Sequence, residues 1–163
     1  LVELRIGIIT CSDTRTEKSD TAGRTLRGLI EERGWSVVAY ALVADVVEQI
    51  AEAMVIQADE ASADIIFTCG GTGLGPRDVT PEATMLVATR MAPGIAEHIR
   101  AESMRITGHA MLSRGIAAMY GRTLVINLPG SEKAARESFG FVVDQLAHAV
   151  LMMTGGGHGS AHE

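Results

Sequence analysis

Three short apolar runs rich in β-branched residues stand out from the polar stretches around them: residues 5–11, 36–43 and 64–69. Each has the length of a strand and gives way to turn-forming or polar residues, which predicts three buried strands. Between the runs the apolar spacing becomes helical. Leu26, Leu29 and Ile30 share one face of a predicted helix over 21–33, with Asp20 as its cap and Gly34 as its stop. Val47, Ile50, Ala51, Met54 and Val55 keep the same spacing in a second predicted helix over 46–60, opened by Asp45. After the third run comes a glycine-rich stretch. Thr80 then reads as a helix cap, with Pro81 in the first helical position.

Farther on, residues 94–106 predict a helix after Pro93. Residues 116–120 and 123–127 predict two short strands joined by a hairpin turn at Gly121-Arg122. A last helix over 132–153 is expected to break near Gly140. Strands that alternate with helices define an α/β domain with a mainly parallel sheet and helices on both faces. The last two runs are expected to add an antiparallel edge. One domain is expected over residues 1–154, with 155–163 as a disordered tail.

Composition narrows the function. Of 163 residues, 47% are hydrophobic but only 4% aromatic, so aliphatic residues and eight Met must fill the core. Met85, Met91, Met104 and Met119 are expected to serve packing. The formal net charge is −6 and there is no Lys/Arg run, which argues against a nucleic-acid surface. No apolar run approaches the ~20 residues that span a bilayer, and no signal-like segment opens the chain, so no membrane role and a cytoplasmic location are expected. Cys11 and Cys69 form no CxxC pair and read as buried free thiols.

Polar residues collect where the strands end. In an open parallel sheet, ligands bind beyond the carboxyl ends of the strands. Ser12-Asp13-Thr14 follow the first strand, Asp45 the second, and the glycine stretch with Arg77 and Asp78 the third. Leu128-Pro129-Gly130-Ser131 would join them only if the preceding strand runs the same way. Glycines 70, 71, 73 and 75 fill four of six positions. Such a bend lets amides approach a phosphate at a helix N-terminus, although a tight turn alone also requires glycine. No Lys-Ser or Lys-Thr follows, so this is not a P-loop. Asp45 and Asp78 are candidates to hold Mg²⁺, which is typically bound by one or two carboxylates plus phosphates and water. A helix cap for Asp45 and an ion pair with Arg77 for Asp78 are the alternatives; Asp13 and Asp20 suit turn and cap roles. Arg114, beside Ser113, is a candidate to grip a phosphate or a polar ring, or else a solvated arginine. His98 and His109 lack a second partner at ligand spacing and read as surface or turn residues.

Thr68-Cys69-Gly70-Gly71-Thr72-Gly73, followed by Arg77-Asp78-Val79-Thr80-Pro81-Glu82-Ala83, resembles the signature of the MogA/MoaB family of molybdenum-cofactor biosynthesis proteins. The resemblance extends to Ser12-Asp13-Thr14, Asp45, Pro93-Gly94, Leu112-Ser113-Arg114 and Leu128-Pro129-Gly130-Ser131, and the opening segment is more similar to MoaB. It implies a three-layer α/β/α domain that assembles as a homotrimer, or a hexamer in MoaB-like members. It implies binding of molybdopterin and transfer of AMP from Mg-ATP to its terminal phosphate, with release of pyrophosphate. The adenylylated product would pass to a metal-insertion protein. The family's two functional aspartates map onto Asp45 and Asp78, as catalytic residues and Mg²⁺ ligands. Ser12, Asp13, Gly70, Gly71, Thr72, Gly73, Arg77, Ser113, Arg114, Pro129, Gly130 and Ser131 are then the expected substrate and nucleotide contacts. The alternative is a molybdopterin-binding or carrier protein without turnover; a third reading is a scaffold that only oligomerises. One departure stands out: Glu132 follows Ser131 where the family commonly has proline.

Overall fold

The computed structural model describes residues 2–156. In chain order the elements are β1 (Arg5–Cys11), α1 (Thr21–Glu32), β2 (Ser36–Val43), α2 (Val47–Asp59), β3 (Ile65–Cys69), α3 (Thr80–Val87), β4 (Arg90–Met91), α4 (Pro93–Met104), a 3₁₀ turn (Gly108–Leu112), β5 (Ala117–Tyr120), β6 (Thr123–Leu128) and α5 (Glu132–Met153). The sheet order is β2-β1-β3-β6-β5-β4.

Side chains alternate across the sheet with the period of two that strands impose. Ile6 and Ile8 of β1, Phe67 of β3, and Leu124 and Ile126 of β6 face one layer, where Leu26, Ile30, Phe139 and Leu146 of the helices meet them. Ile9, Ile66 and Val125 face the other, against Ile50 and Met54 of α2 and Ala83 of α3. Two apolar layers enclose one sheet, which is the expected α/β/α sandwich. Cys11 and Cys69 are both free and buried, and they belong to opposite layers. Burial pushes the Cys11 thiol up to about 12 and the Cys69 thiol well above its ordinary value, so both stay protonated near neutrality.

Several expectations need correction. β6 is no edge: it lies inside the sheet, parallel to β3, and the expected antiparallel edge is made by β5 and β4, with β5 running against both β6 and β4. β4, two exposed residues, left no apolar run to read. Asp20 does cap α1, accepting from the Gly23 amide at 3.0 Å, and its other oxygen takes the Thr10 and Tyr40 hydroxyls, each at 2.6 Å. Asp45 caps nothing; α2 starts after Val46 without a side-chain cap. Thr80 is the first residue of α3 rather than its cap, because its hydroxyl turns back to the Gly70 carbonyl at 2.9 Å. α5 runs unbroken through Gly140. Met85, Met91 and Met104 are 55%, 48% and 42% exposed, so of the four methionines only Met119 packs against the core. Among the described residues no helix is long and apolar enough to cross a membrane. Most of the expected tail, from residue 157 on, lies outside the described residues.

Candidate functional site

β1, β2, β3 and β6 are mutually parallel, so the loops that follow them share one rim. The condition set for Leu128-Pro129-Gly130-Ser131 is therefore met. Two loops lock together there. The Gly70 amide donates to the Leu128 carbonyl at 3.0 Å, and a Cβ on Gly130 would stand 3.1 Å from the Gly70 Cα.

The four glycines do two jobs. Gly70 and Gly71 have φ of +96° and +69°, backbone that side-chain-bearing residues rarely adopt. Gly73 and Gly75 lack positive φ; instead each makes room for a carboxylate, because a Cβ at either would lie 2.9 Å from Asp78 Oδ2. The Gly75 amide donates to that same oxygen at 3.0 Å. The bend is thus folded around the Asp78 side chain.

Asp13 and Asp45 exchange hydrogen bonds across the gap between β1 and β2. The Asp13 amide donates to Asp45 Oδ2 at 3.0 Å and the Asp45 amide to Asp13 Oδ1 at 2.9 Å. Arg77 does not pair with Asp78 as the adjacent positions suggested. It reaches across the rim to Asp13, with Nε and Nη2 donating at 2.9 and 3.2 Å. This holds the Asp13 carboxyl below its ordinary range, mainly through the Arg77 hydrogen bonds. Asp45 shifts the other way. Burial raises it first, repulsion by Asp13 and Asp78 adds to that, and the Asp13 amide offsets part. Among the described residues Asp45 Oδ1 is buried without a hydrogen-bond partner.

These groups surround a cleft of about 350 Å³ lined by Ser12, Asp13, Asp45, Gly70, Gly71, Asp78 and Gly130. A second cavity of about 310 Å³ lies along the same bend and is lined by Thr72, Gly73, Arg100, Ser113, Asn127 and Pro129 among apolar side chains. Most of the expected site residues thus divide between two compartments that share one loop; Arg77 lines neither and meets the cleft only through Asp13. Ser131 lines neither; it caps α5, its hydroxyl accepting from the Ala134 amide at 3.3 Å. Arg114 also lines neither, and its guanidinium is taken up by Glu82 and by loop carbonyls rather than left to grip a phosphate. Glu132 accepts from the Thr25 hydroxyl at 2.9 Å and so joins α5 to α1.

Sequence reasoning passed over Asn127 and Arg100. Asn127 is buried, donates to Thr68 and Thr84 hydroxyls at 3.0 and 2.9 Å, and accepts from the Ile116 amide at 3.2 Å. A polar residue inside the apolar run of β6 was its one visible signal. Arg100, on α4, had none.

Oxygen ligands from two carboxylates, one with an orphaned oxygen, suit a hard divalent cation better than zinc or a soft metal. Among the described residues no three His, Cys, Asp or Glu side chains gather to hold a metal ion by themselves. The donor set fits Mg²⁺, which keeps waters and phosphate oxygens as its other ligands.

Residues 7–148 match the model of a family described as a probable molybdopterin binding domain. The chain is 33% identical over 156 residues to the molybdopterin adenylyltransferase of Helicobacter pylori, covering 93% of this chain and 89% of that one. It is 40% identical over 153 residues to the molybdenum cofactor synthesis protein cinnamon of Drosophila melanogaster. That match covers 92% of this chain but 26% of cinnamon, so the chain spans about a quarter of that relative. The crystal structure of the molybdopterin biosynthesis enzyme MoaB from Thermus thermophilus aligns with a TM-score of 0.86 at 45% identity, over 93% of this chain and 97% of that one. With nearly its whole length matched in sequence and in fold, the chain belongs to the MogA/MoaB family of molybdenum-cofactor biosynthesis proteins.

Proposed function

We propose that this protein binds molybdopterin and transfers AMP from ATP to its terminal phosphate. The observation that carries the reading is the shared loop: one glycine bend forms a wall of both an acidic cleft and a largely apolar cavity. Two ligands seated there would lie against one another across a few backbone atoms. The names of the relatives, an adenylyltransferase among them, support the same reading.

In the reaction, an oxygen of the pterin's terminal phosphate attacks the α-phosphorus of ATP. The bond from that phosphorus to the bridging oxygen breaks, and its electron pair leaves with pyrophosphate. The nucleophile comes from the substrate, so the chain needs none, and its two protonated thiols offer none. Its task is alignment and charge control. The cleft takes the ATP phosphates, and the apolar cavity takes the flat ring, with Ser113 and Arg100 as polar contacts. Among the described residues the Gly71 and Gly73 amides donate to no other group, which leaves them for phosphate oxygens. Asp45 and Asp78 would hold Mg²⁺, which when bound neutralises phosphate charge. Arg77 carries its positive charge at the same mouth, at present on Asp13.

Exposed Leu74, Met85 and Leu86 offer apolar area to further copies of the chain, in the trimer or hexamer that the resemblance implies. We place the protein in the cytoplasm, handing its product to a metal-insertion protein.

Purified protein given molybdopterin, ATP and Mg²⁺ should yield adenylylated pterin and pyrophosphate in equal amounts. Bound pterin without product would instead mark a carrier, and the absence of both binding and product would sink the reading. Acid should weaken Mg²⁺ binding early. The carboxyl of Asp45 is raised, so as pH falls it takes up a proton before an ordinary aspartate does and ceases to be a ligand. Titration calorimetry of the wild type and Asp45→Asn across pH 4–7, roughly the carboxylate range, checks this: the variant should bind weakly throughout, with a flatter pH dependence.

A further inference from the structure

Arg114 lines neither cavity, yet it holds the wall between them. Its backbone amide donates to the Thr72 carbonyl at 2.8 Å. Its Nε donates to the Gly73 carbonyl at 2.8 Å, and Nη2 to the Asp78 carbonyl at 2.7 Å. The rest of the guanidinium forks onto Glu82, with Nη1 and Nη2 donating at 2.8 and 2.9 Å. One planar group therefore ties the outgoing limb of the glycine bend to its returning limb, and ties both to the first turn of α3. A second arginine secures the base. Arg100 Nη1 donates to the carbonyls of Ser113 and Gly115, the residues on either side of Arg114, at 3.0 and 3.2 Å.

We propose that Arg114 is a positioning residue for adenylyl transfer: paired with Glu82, it sets the shape of the glycine bend, and thereby the place of Asp78, without touching phosphate. The inference rests on reading the acidic cleft as the nucleotide site. A bend with two glycines at positive φ has little stiffness of its own, so its shape must be imposed from outside. Of five guanidinium N–H groups, four are engaged by the bonds above. Glu82 feels the contact too, its carboxyl lowered chiefly by the Arg114 hydrogen bonds. Lysine keeps the charge but puts its donors on one nitrogen, and it cannot span two loop carbonyls and a carboxylate in a plane.

The alternative, a guanidinium that binds phosphate, predicts the opposite pattern. A phosphate ligand would survive Arg114→Lys in large part, and Glu82→Gln would release it and tighten nucleotide binding. A positioning residue fails in both variants. Hydrogen exchange of the unliganded protein should show residues 71–79 exchanging about tenfold faster or more in both, with central strands and melting temperature nearly unchanged. Affinity for Mg-ATP, read from the ligand-induced rise in melting temperature, should fall by about 10–100-fold in both, the range typical of lost supporting contacts. In turnover, kcat should drop, and the KM for Mg-ATP should rise more than that for the pterin, whose cavity meets the bend only at Thr72 and Gly73. Unchanged exchange at 71–79 in Arg114→Lys, or tighter Mg-ATP binding in Glu82→Gln, overturns the proposal. If Arg114→Lys fails to fold, Glu82→Gln decides alone. A wild-type protein that does not bind Mg-ATP would remove the nucleotide reading, and the exchange measurement would still decide whether Arg114 shapes the bend.

Discussion

Asp78→Asn is expected to fold normally, to retain pterin, and to make adenylylated pterin roughly 10²–10³-fold more slowly than the wild type, the scale on which removal of one preorganised electrostatic group acts. Asparagine is the sharper replacement because Asp78 has two roles that can be separated. Its Oδ2 accepts from the Gly75 amide, and the bend leaves room for it at Gly73 and Gly75. An asparagine carbonyl can fill that space and accept that hydrogen bond, so only the charge is lost. Asp78→Ala removes both. It should match Asp78→Asn in chemistry if charge is what matters, and should additionally loosen the bend. Neither variant should melt lower by much. Asp78 raises the Asp45 carboxyl by repulsion, so its charge costs stability where it stands, as groups kept for function often do. Steady-state rates, pterin binding and a thermal melt on the two variants make the test. Full activity in Asp78→Asn would exclude a metal role for this carboxylate.

That Asp45 and Asp78 would meet on one rim was legible in the sequence, because the rule that ligands sit beyond parallel strand ends needs only strand order and residue type. Their partners were not. Arg77 stands next to Asp78 in the chain, which suggested an ion pair, yet it binds Asp13, 64 positions away. Arg114 looked like a phosphate ligand because nothing local consumes its donors; Gly73, Asp78 and Glu82, which do, lie 32 to 41 positions back. The same distinction runs through the fold. The hairpin at Gly121-Arg122 was readable, being local, and it makes β5 antiparallel to β6. That β6 then lies beside β3 is a long-range choice, and it moved β6 from the expected edge to the interior. Met85 and Met91 were misjudged for a related reason: short elements give too few residues to separate an inner from an outer face. Met104 closes the twelve-residue α4, at an end where the helix has left the core. Thr80 shows local and tertiary demand in competition. Its type suits a cap, but the Gly70 carbonyl has the stronger claim on its hydroxyl.

Gly70→Ala should cost roughly 2–4 kcal/mol of stability, combining a strained backbone with an overfilled contact. The φ of +96° lies outside the regions an alanine enters readily. A Cβ there would stand 2.6 Å from the Cys11 carbonyl oxygen, and that oxygen is backbone at the end of β1, so no rotamer change relieves the overlap. Relief requires β1 and β3 to part at their carboxyl ends, beside Asp13 and Asp45, or the bend to lift away from the Leu128 carbonyl. Either motion opens the cleft, so Mg-ATP binding should fall together with stability. Gly71→Ala should be milder in its contacts, since its Cβ meets the Thr80 hydroxyl, a side chain that can turn away by giving up Gly70. Gly28→Ala supplies the opposite sign. Gly28 lies inside α1 with open space where its Cβ would point, so alanine there should add about 0.5–1 kcal/mol. Urea titrations of the three variants read these differences directly. A Gly70→Ala protein as stable as the wild type would mean that the strand ends can separate freely, and that the glycine bend is not the rigid seat on which the proposed chemistry depends.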